Sequence, residues 1–140
     1  MRAVLEHLGV QRCGVFGYSF TGAFGPWPAQ HLPDRVAAVV AGGFPLLGSY
    51  EVTAVDVRGQ LAAVGRLLPM SALLLRGDED TDAVAMVMPS SELSEGLAER
   101  RVTHRVIRGV DHEGLNARLE VAWPEASAWL SGQLARDVAR

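Results

Sequence analysis

The residues best suited to chemistry are residues 17–22, which read Gly-Tyr-Ser-Phe-Thr-Gly after an apolar run. A strand that turns sharply into a helix needs small residues two positions from the apex, because the backbone folds tightly there. Ser19 at the apex would project beside the N–H groups of the helix N-terminus, which favour negative charge. Ser19 is therefore a candidate nucleophile, with the backbone N–H of Phe20 as a candidate donor to an oxyanion. The alternative is an ordinary serine that caps a helix.

Acidic and histidine side chains follow two later predicted strands. Residues 76–80 read Arg-Gly-Asp-Glu-Asp after the apolar run at 72–75, and residues 108–112 read Arg-Gly-Val-Asp-His after residues 102–107. If both segments are strands of one parallel sheet, these groups lie at the sheet edge where such proteins bind ligands. The chain order of serine, acid and histidine thus predicts three cooperating groups at one edge.

These side chains complement one another chemically. A neutral serine is a poor nucleophile and needs a general base, so His112 would take its proton. An acid, best placed at Asp80, would hold the imidazole in the required tautomer and stabilise its charged form. Asp78 and Asp82 are the alternative acids, since acid clusters in loops are usually solvated surface. Asp111 is interpreted as a loop cap, because sequence neighbours rarely face each other.

Helices and strands that would position these groups follow from apolar periodicity and from glycine and proline. Pro26 and Pro28 are expected to kink or end the helix that begins near Phe20, whereas Pro124 fits the first turn of the last helix. Continuous apolar strands that alternate with helices predict the α/β class, a parallel sheet of about four strands with helices on both faces. The predicted strands are 10–18, 36–41, 72–75 and 102–107, and the other predicted helices are 2–8, 53–68 and 91–100.

Composition narrows the class of protein. The 140 residues are 49% hydrophobic with a net charge of -3, which predicts one globular domain over 1–140. This charge gives no reason to expect nucleic acid or a membrane surface as a partner, and no apolar stretch approaches the ~20 residues of a membrane span. The one cysteine, Cys13, and the lack of a signal peptide indicate a cytoplasmic protein. One cysteine and four scattered histidines form no zinc pattern, so neither metal nor other cofactor is predicted.

Five motifs together resemble the α/β-hydrolase family and cover nearly the whole chain in family order. The resemblance implies that Ser19 is the nucleophile, Asp80 the acid and His112 the base of a hydrolase. Its substrate would be a small ester-like molecule, cleaved through an acyl-enzyme. The motifs are Leu-Glu-His-Leu-Gly-Val at 5–10, Gly-Tyr-Ser at 17–19, Leu-Pro-Asp-Arg-Val at 32–36, Gly-Asp-Glu-Asp at 77–80 and Gly-Val-Asp-His-Glu-Gly at 109–114.

The sequence also departs from the family pattern in three ways. Thr21, two positions after the candidate nucleophile, replaces the small residue that is common there in the family. Where many members insert a lid between two strands, this sequence has only residues 45–70. The match begins at the helix before the family's fifth strand, which implies a partial fold that lacks the first four strands. The loop with the second oxyanion donor would be missing with them. The first strand here would then offer an apolar edge for self-association.

Candidate pocket residues are Tyr18, Phe44 and Met86, although core or lid packing explains the last two equally well. A nucleotide-binding sheet is disfavoured, because the glycines form neither Gly-x-Gly-x-x-Gly nor a phosphate loop. Two functions remain: a serine hydrolase, or a non-catalytic remnant or half-domain of the hydrolase fold that needs a partner. Reaction with a serine-directed reagent distinguishes them.

Overall fold

A parallel sheet organises the chain in the computed structural model, which describes residues 1–19, 26–43, 71–80 and 102–138. In these residues four strands form one sheet in the order β1-β2-β3-β4, all parallel. The predicted α/β class and four-stranded parallel sheet are confirmed. The strands are β1 (Cys13–Tyr18), β2 (Val36–Gly42), β3 (Ser71–Gly77) and β4 (Val102–Ile107). The helices are α1 (Arg2–His7), α2 (Pro26–His31), α3 (His112–Ala117) and α4 (Leu119–Val138).

The two central strands, β2 and β3, are buried on both faces. Val40 pairs in register with Leu73 on one face, and the next pair, Ala41 with Leu74, lies on the other. All four side chains are buried. Strands of a parallel sheet covered on both faces read as continuous apolar runs, whereas half-exposed strands alternate. This burial explains why these strands lack an alternating pattern in the sequence.

Helix α4 packs against one face of the sheet through a stripe of buried residues. Ala126 and Leu130 of the helix form an apolar cluster with Ala38 and Leu75 of the central strands. A Cβ atom placed on Gly14 of β1 would lie 2.6 Å from Cδ2 of Leu130. The helix therefore approaches β1 closely at a position where the strand has no side chain.

Helix α4 begins earlier than the sequence predicts. Its first residue is Leu119, so Pro124 lies inside the helix and not in its first turn. A proline there leaves a carbonyl one turn earlier without its helical donor. The helix continues through this position because Ala122, Ala126 and Leu130, spaced by four residues, are buried on both sides of the proline. The buried stripe, and not the proline, decides where this helix begins.

Two prolines, Pro26 and Pro28, lie at the start of helix α2 in the described residues. Proline fits the first turn of a helix, because its missing N–H would have no helical acceptor there. That these prolines kink or end a helix beginning near Phe20 stays a prediction. Residues 20–25 and the predicted helices at 53–68 and 91–100 lie outside the described residues.

Strand β1 lies at one edge of the sheet, and among the described strands it pairs with β2 alone. The predicted self-association through this edge stays a prediction. Across the four described ranges, none of the helices combines the length with the apolar character that a membrane span requires.

Candidate active site

Ser19 follows the last residue of β1 directly and has an unusual backbone conformation. Its φ angle is 48°, and it is the one non-glycine residue with a positive φ in the described ranges. A residue with a Cβ is strained in this region, and such strain is typical of functional turns. The sharp, strained turn after a strand agrees with the predicted nucleophile elbow.

The structure brings the three predicted side chains together. The Oγ atom of Ser19 lies 3.0 Å from Nε2 of His112, and Nδ1 of His112 lies 3.2 Å from Oδ2 of Asp80. One neutral tautomer satisfies both contacts: Nδ1–H donates to Asp80 while Nε2 accepts from the hydroxyl of Ser19. These side chains, separated by 61 and 32 positions in the sequence, therefore form one hydrogen-bonded line.

Burial distinguishes the acid of this line from the histidine. Asp80 is only 5% exposed, and the side chain of His112 is 24% exposed. A buried carboxylate keeps its orientation and interacts strongly with a charged imidazole, because little water screens it. Asp80 is thus placed to orient the ring of His112.

The alternative acids lie elsewhere. Asp78 is exposed, and its Oδ1 accepts a hydrogen bond of 2.7 Å from the backbone N–H of Gly109. Its carboxylate therefore joins two loops and does not contact the ring of His112 in the described hydrogen bonds. Asp82 lies outside the described residues. Of the three acids proposed from the sequence, the structure places Asp80 beside the histidine.

The loops after β3 and β4 are joined by main-chain hydrogen bonds. The N–H of Asp78 donates to the carbonyl of Ile107, and the N–H of Glu79 donates to the carbonyl of Val110. A Cβ atom on Gly77 would lie 1.9 Å from that carbonyl oxygen of Val110, so only glycine fits at the end of β3. The close contact holds the loop of Asp80 against the loop of His112.

Asp111 caps helix α3, as its position in the sequence suggested. Its carboxylate accepts a hydrogen bond from the N–H of Gly114, which satisfies one of the free donors at the helix N-terminus. His112 is the first residue of this helix. The cap therefore fixes the backbone that carries the candidate base.

Tyr18 has a contact that sequence reasoning did not find. Its hydroxyl donates a hydrogen bond to the main-chain carbonyl of His112, and the two rings lie 5.4 Å apart at 44°. The Gly42-Gly43 pair at the end of β2 indicates a close approach there, but nothing in the sequence identifies the partner of Tyr18. A pocket role for Tyr18 stays a prediction. Phe20, Phe44 and Met86 lie outside the described residues, so their predicted roles also stay predictions.

Two other chemically capable side chains do not belong to this line. Burial raises the pKa of the Cys13 thiol, which disfavours the reactive thiolate. Burial and, secondarily, the charge of Arg76 lower the pKa of His104 from 6.5 to about 4. His104 is therefore neutral at physiological pH.

An apolar groove lies beside β1, away from the hydrogen-bonded line. It has a volume of about 520 Å³ and is lined by Phe16, Glu120, Trp123 and Pro124. The rings of Phe16 and Trp123 meet edge to face at 5.8 Å. None of these residues contacts the candidate nucleophile or base through a described hydrogen bond. In the ranges that the structure covers, no group of three or more His, Cys, Asp or Glu side chains could hold a metal ion.

Solved structures resemble this chain, whereas no family model and no curated protein matches it. A carboxylesterase structure from Nitrososphaera gargenis has a TM-score of 0.62 and 17% identity over 96% of this chain and 70% of its own. A predicted CIB-like hydrolase from Thermoplasma acidophilum has a TM-score of 0.56 and 18% identity over 97% of this chain and 56% of its own. An alpha/beta hydrolase enzyme from a lagoon sediment metagenome has a TM-score of 0.51 and 12% identity over 99% of this chain and 68% of its own.

These likenesses define the class of fold. Each extends over nearly all of this chain, and each of the three proteins is described as a hydrolase or esterase. With the four-stranded parallel sheet of the described residues, they show that the chain has a partial α/β-hydrolase fold. The chain spans 56% of the length of the Thermoplasma protein and 70% of that of the carboxylesterase.

Proposed function

We propose that this chain is a serine hydrolase that cleaves a small ester-like substrate through an acyl-enzyme on Ser19. The observation that carries the proposal is the hydrogen-bonded line from Ser19 through His112 to Asp80. It joins a nucleophile, a base and an orienting acid in the arrangement that acyl transfer requires. The strained backbone at Ser19 supports the same role, because a strained turn exposes the hydroxyl.

The reaction follows from the contacts of His112. Nε2 takes the proton of Ser19 as Oγ bonds to the ester carbonyl carbon, and the carbonyl electron pair moves to oxygen. When the tetrahedral intermediate collapses, Nε2–H gives the proton to the departing alkoxide, which leaves as an alcohol. Water then attacks the acyl-enzyme with the same base, and the acid product and free Ser19 result. Asp80 stabilises the imidazolium in both steps without itself taking a proton.

Stabilisation of the oxyanion is the remaining requirement. The N–H of the residue after the nucleophile, Phe20, is the expected donor. The likeness to a carboxylesterase structure supports an ester as the first substrate class to test.

Hydrolysis of p-nitrophenyl acetate tests this proposal. We expect a burst of p-nitrophenol that approaches the enzyme concentration, followed by slower turnover, because an acyl-enzyme forms before it is hydrolysed. Ser19→Ala removes the nucleophile and should abolish the burst. Cys13→Ser is the matched control, since the free thiol of Cys13 is another nucleophile that the ester could acylate, and it should retain the burst. A burst that survives in Ser19→Ala would contradict the proposal.

The second candidate function is a hydrolase-fold half-domain without catalysis of its own. The observation that favours it is partial coverage: this chain matches 70% of the carboxylesterase and 56% of the Thermoplasma protein. This candidate predicts that a folded chain shows no burst with any short ester.

A further inference from the structure

The candidate base must be held far from the strand that precedes it. His112 follows β4, whereas Ser19 follows β1, and these strands lie at opposite edges of the described sheet. With neighbouring strands ~4.8 Å apart, β1 and β4 are separated by about 14 Å. The chain after β4 therefore has to pass the ends of β3 and β2 before the imidazole reaches the serine hydroxyl, and it needs a fixed point there.

Tyr18 provides this fixed point. Its hydroxyl donates to the main-chain carbonyl of His112, the residue that carries the base. Its ring packs beside the apolar cluster of Val110, Leu115 and Ala122. One side chain thus joins the end of β1 to the start of α3, immediately next to the nucleophile in sequence.

The end of β2 leaves room for the Tyr18 ring in this orientation. A Cβ atom on Gly43 would lie 2.8 Å from Cε2 of Tyr18 and 3.3 Å from its hydroxyl oxygen. A Cβ atom on Gly42 would lie 3.3 Å from Cδ2 of the same ring. Larger residues at these positions would displace the ring from the carbonyl that its hydroxyl contacts.

We propose that Tyr18 is a positioning residue for His112. Its hydroxyl holds the main chain of the base and thereby sets the distance between Nε2 and the Oγ of Ser19. The effect on catalysis rests on the proposed hydrolase function. The effect on the imidazole does not, because the ring must stay beside Asp80 whether or not a substrate is turned over.

The test uses Tyr18→Phe, which keeps the ring and removes only the donor. Ile107→Val is the control, because Ile107 packs against the same apolar cluster but has no contact with the carbonyl of His112 in the described hydrogen bonds. The tautomer of each histidine is read from the ¹⁵N chemical shifts of its two imidazole nitrogens. The signals of His112 are assigned by their loss in His112→Gln.

We expect the Nδ1–H form of His112 to predominate in the wild type and in Ile107→Val. In Tyr18→Phe the signals should move toward the Nε2–H form that imidazole favours in water, since the ring no longer stays beside Asp80. With p-nitrophenyl acetate, kcat of Tyr18→Phe should fall about 3- to 10-fold, as one lost hydrogen bond allows, with KM within about twofold.

An unchanged tautomer in a folded Tyr18→Phe would overturn the inference, as would an equal change in Ile107→Val. If the wild type shows no esterase activity, the proposed function fails, yet the tautomer comparison still decides whether Tyr18 positions the ring. A changed tautomer with unchanged kcat would also overturn the role of Tyr18 in catalysis.

Discussion

A residue with a Cβ that is held in a left-handed conformation costs about 1–2 kcal/mol, and Ser19 has a φ of 48°. Glycine adopts this conformation freely, although it loses about 0.5–1 kcal/mol more backbone freedom on folding than alanine does. We therefore expect Ser19→Gly to be more stable than Ser19→Ala by about 0.5–1 kcal/mol. Urea unfolding of the two variants measures the difference, and equal stabilities would show that the turn is not strained.

The assignment of the acid is also decided at the scale of single residues. Asp80→Asn keeps the size of the side chain but cannot stabilise an imidazolium, so we expect kcat/KM to fall about 10³–10⁴-fold. Asp78→Asn is the matched control, because its side-chain oxygen can still accept from the N–H of Gly109. Its activity should stay within about threefold of the wild type. Ester hydrolysis by both variants measures this, and equal losses would contradict the assignment to Asp80.

At the scale of elements, the contact between the loops after β3 and β4 depends on one glycine. A Cβ on Gly77 would lie 1.9 Å from the carbonyl oxygen of Val110, whereas one on Gly132 in α4 would meet nothing within 4 Å. We expect Gly77→Ala to lose about 2–3 kcal/mol of unfolding free energy. Gly132→Ala should gain about 0.5–1 kcal/mol, because alanine favours a helix.

Urea denaturation of both glycine variants measures these changes. The prediction is contradicted if Gly77→Ala is as stable as the wild type. A loss of ester hydrolysis in the surviving folded fraction of Gly77→Ala would further indicate that the same contact places His112 beside Asp80.

The elements show which features the sequence could predict. The continuous apolar runs of β2 and β3 predicted buried strands because two covered faces leave no alternation, and glycines marked the ends of both strands. The groups at Ser19, Asp80 and His112 could be found because each follows a strand of the predicted parallel sheet. Pro124 misled the prediction of α4, since local proline chemistry is overridden by the buried stripe around it. The contact of Tyr18 was not predictable, because it joins residues 94 positions apart through a main-chain carbonyl that any residue would have.

At the scale of the whole molecule, stability should depend on pH through His104. Burial lowers the pKa of this histidine from 6.5 to about 4 in the folded chain. Between these values the unfolded chain binds a proton that the folded chain does not, so stability falls as the pH decreases from about 6.5 toward 4. His104→Gln removes this proton uptake, and we expect its unfolding free energy to fall less between about pH 7 and pH 5. Equal pH dependence in both proteins would contradict the burial of a neutral His104.

The extent of the fold is the other property of the whole molecule. Nearly all of this chain matches the solved hydrolases. The match covers 70% of the carboxylesterase and 56% of the Thermoplasma protein. The hydrogen-bonded line of Ser19, His112 and Asp80 nevertheless lies entirely within the described residues. We therefore predict that Ser19 is activated in this chain, whatever further parts the solved hydrolases contain.

Mass spectrometry after incubation with a fluorophosphonate tests that claim most directly. The reagent phosphonylates a serine only where a base activates its hydroxyl, and peptide mapping then locates the adduct. We predict a single adduct on Ser19 in the wild type, none in Ser19→Ala, and much slower labelling in His112→Gln. A folded wild-type chain that takes no adduct, or an adduct that persists in Ser19→Ala, would contradict the account.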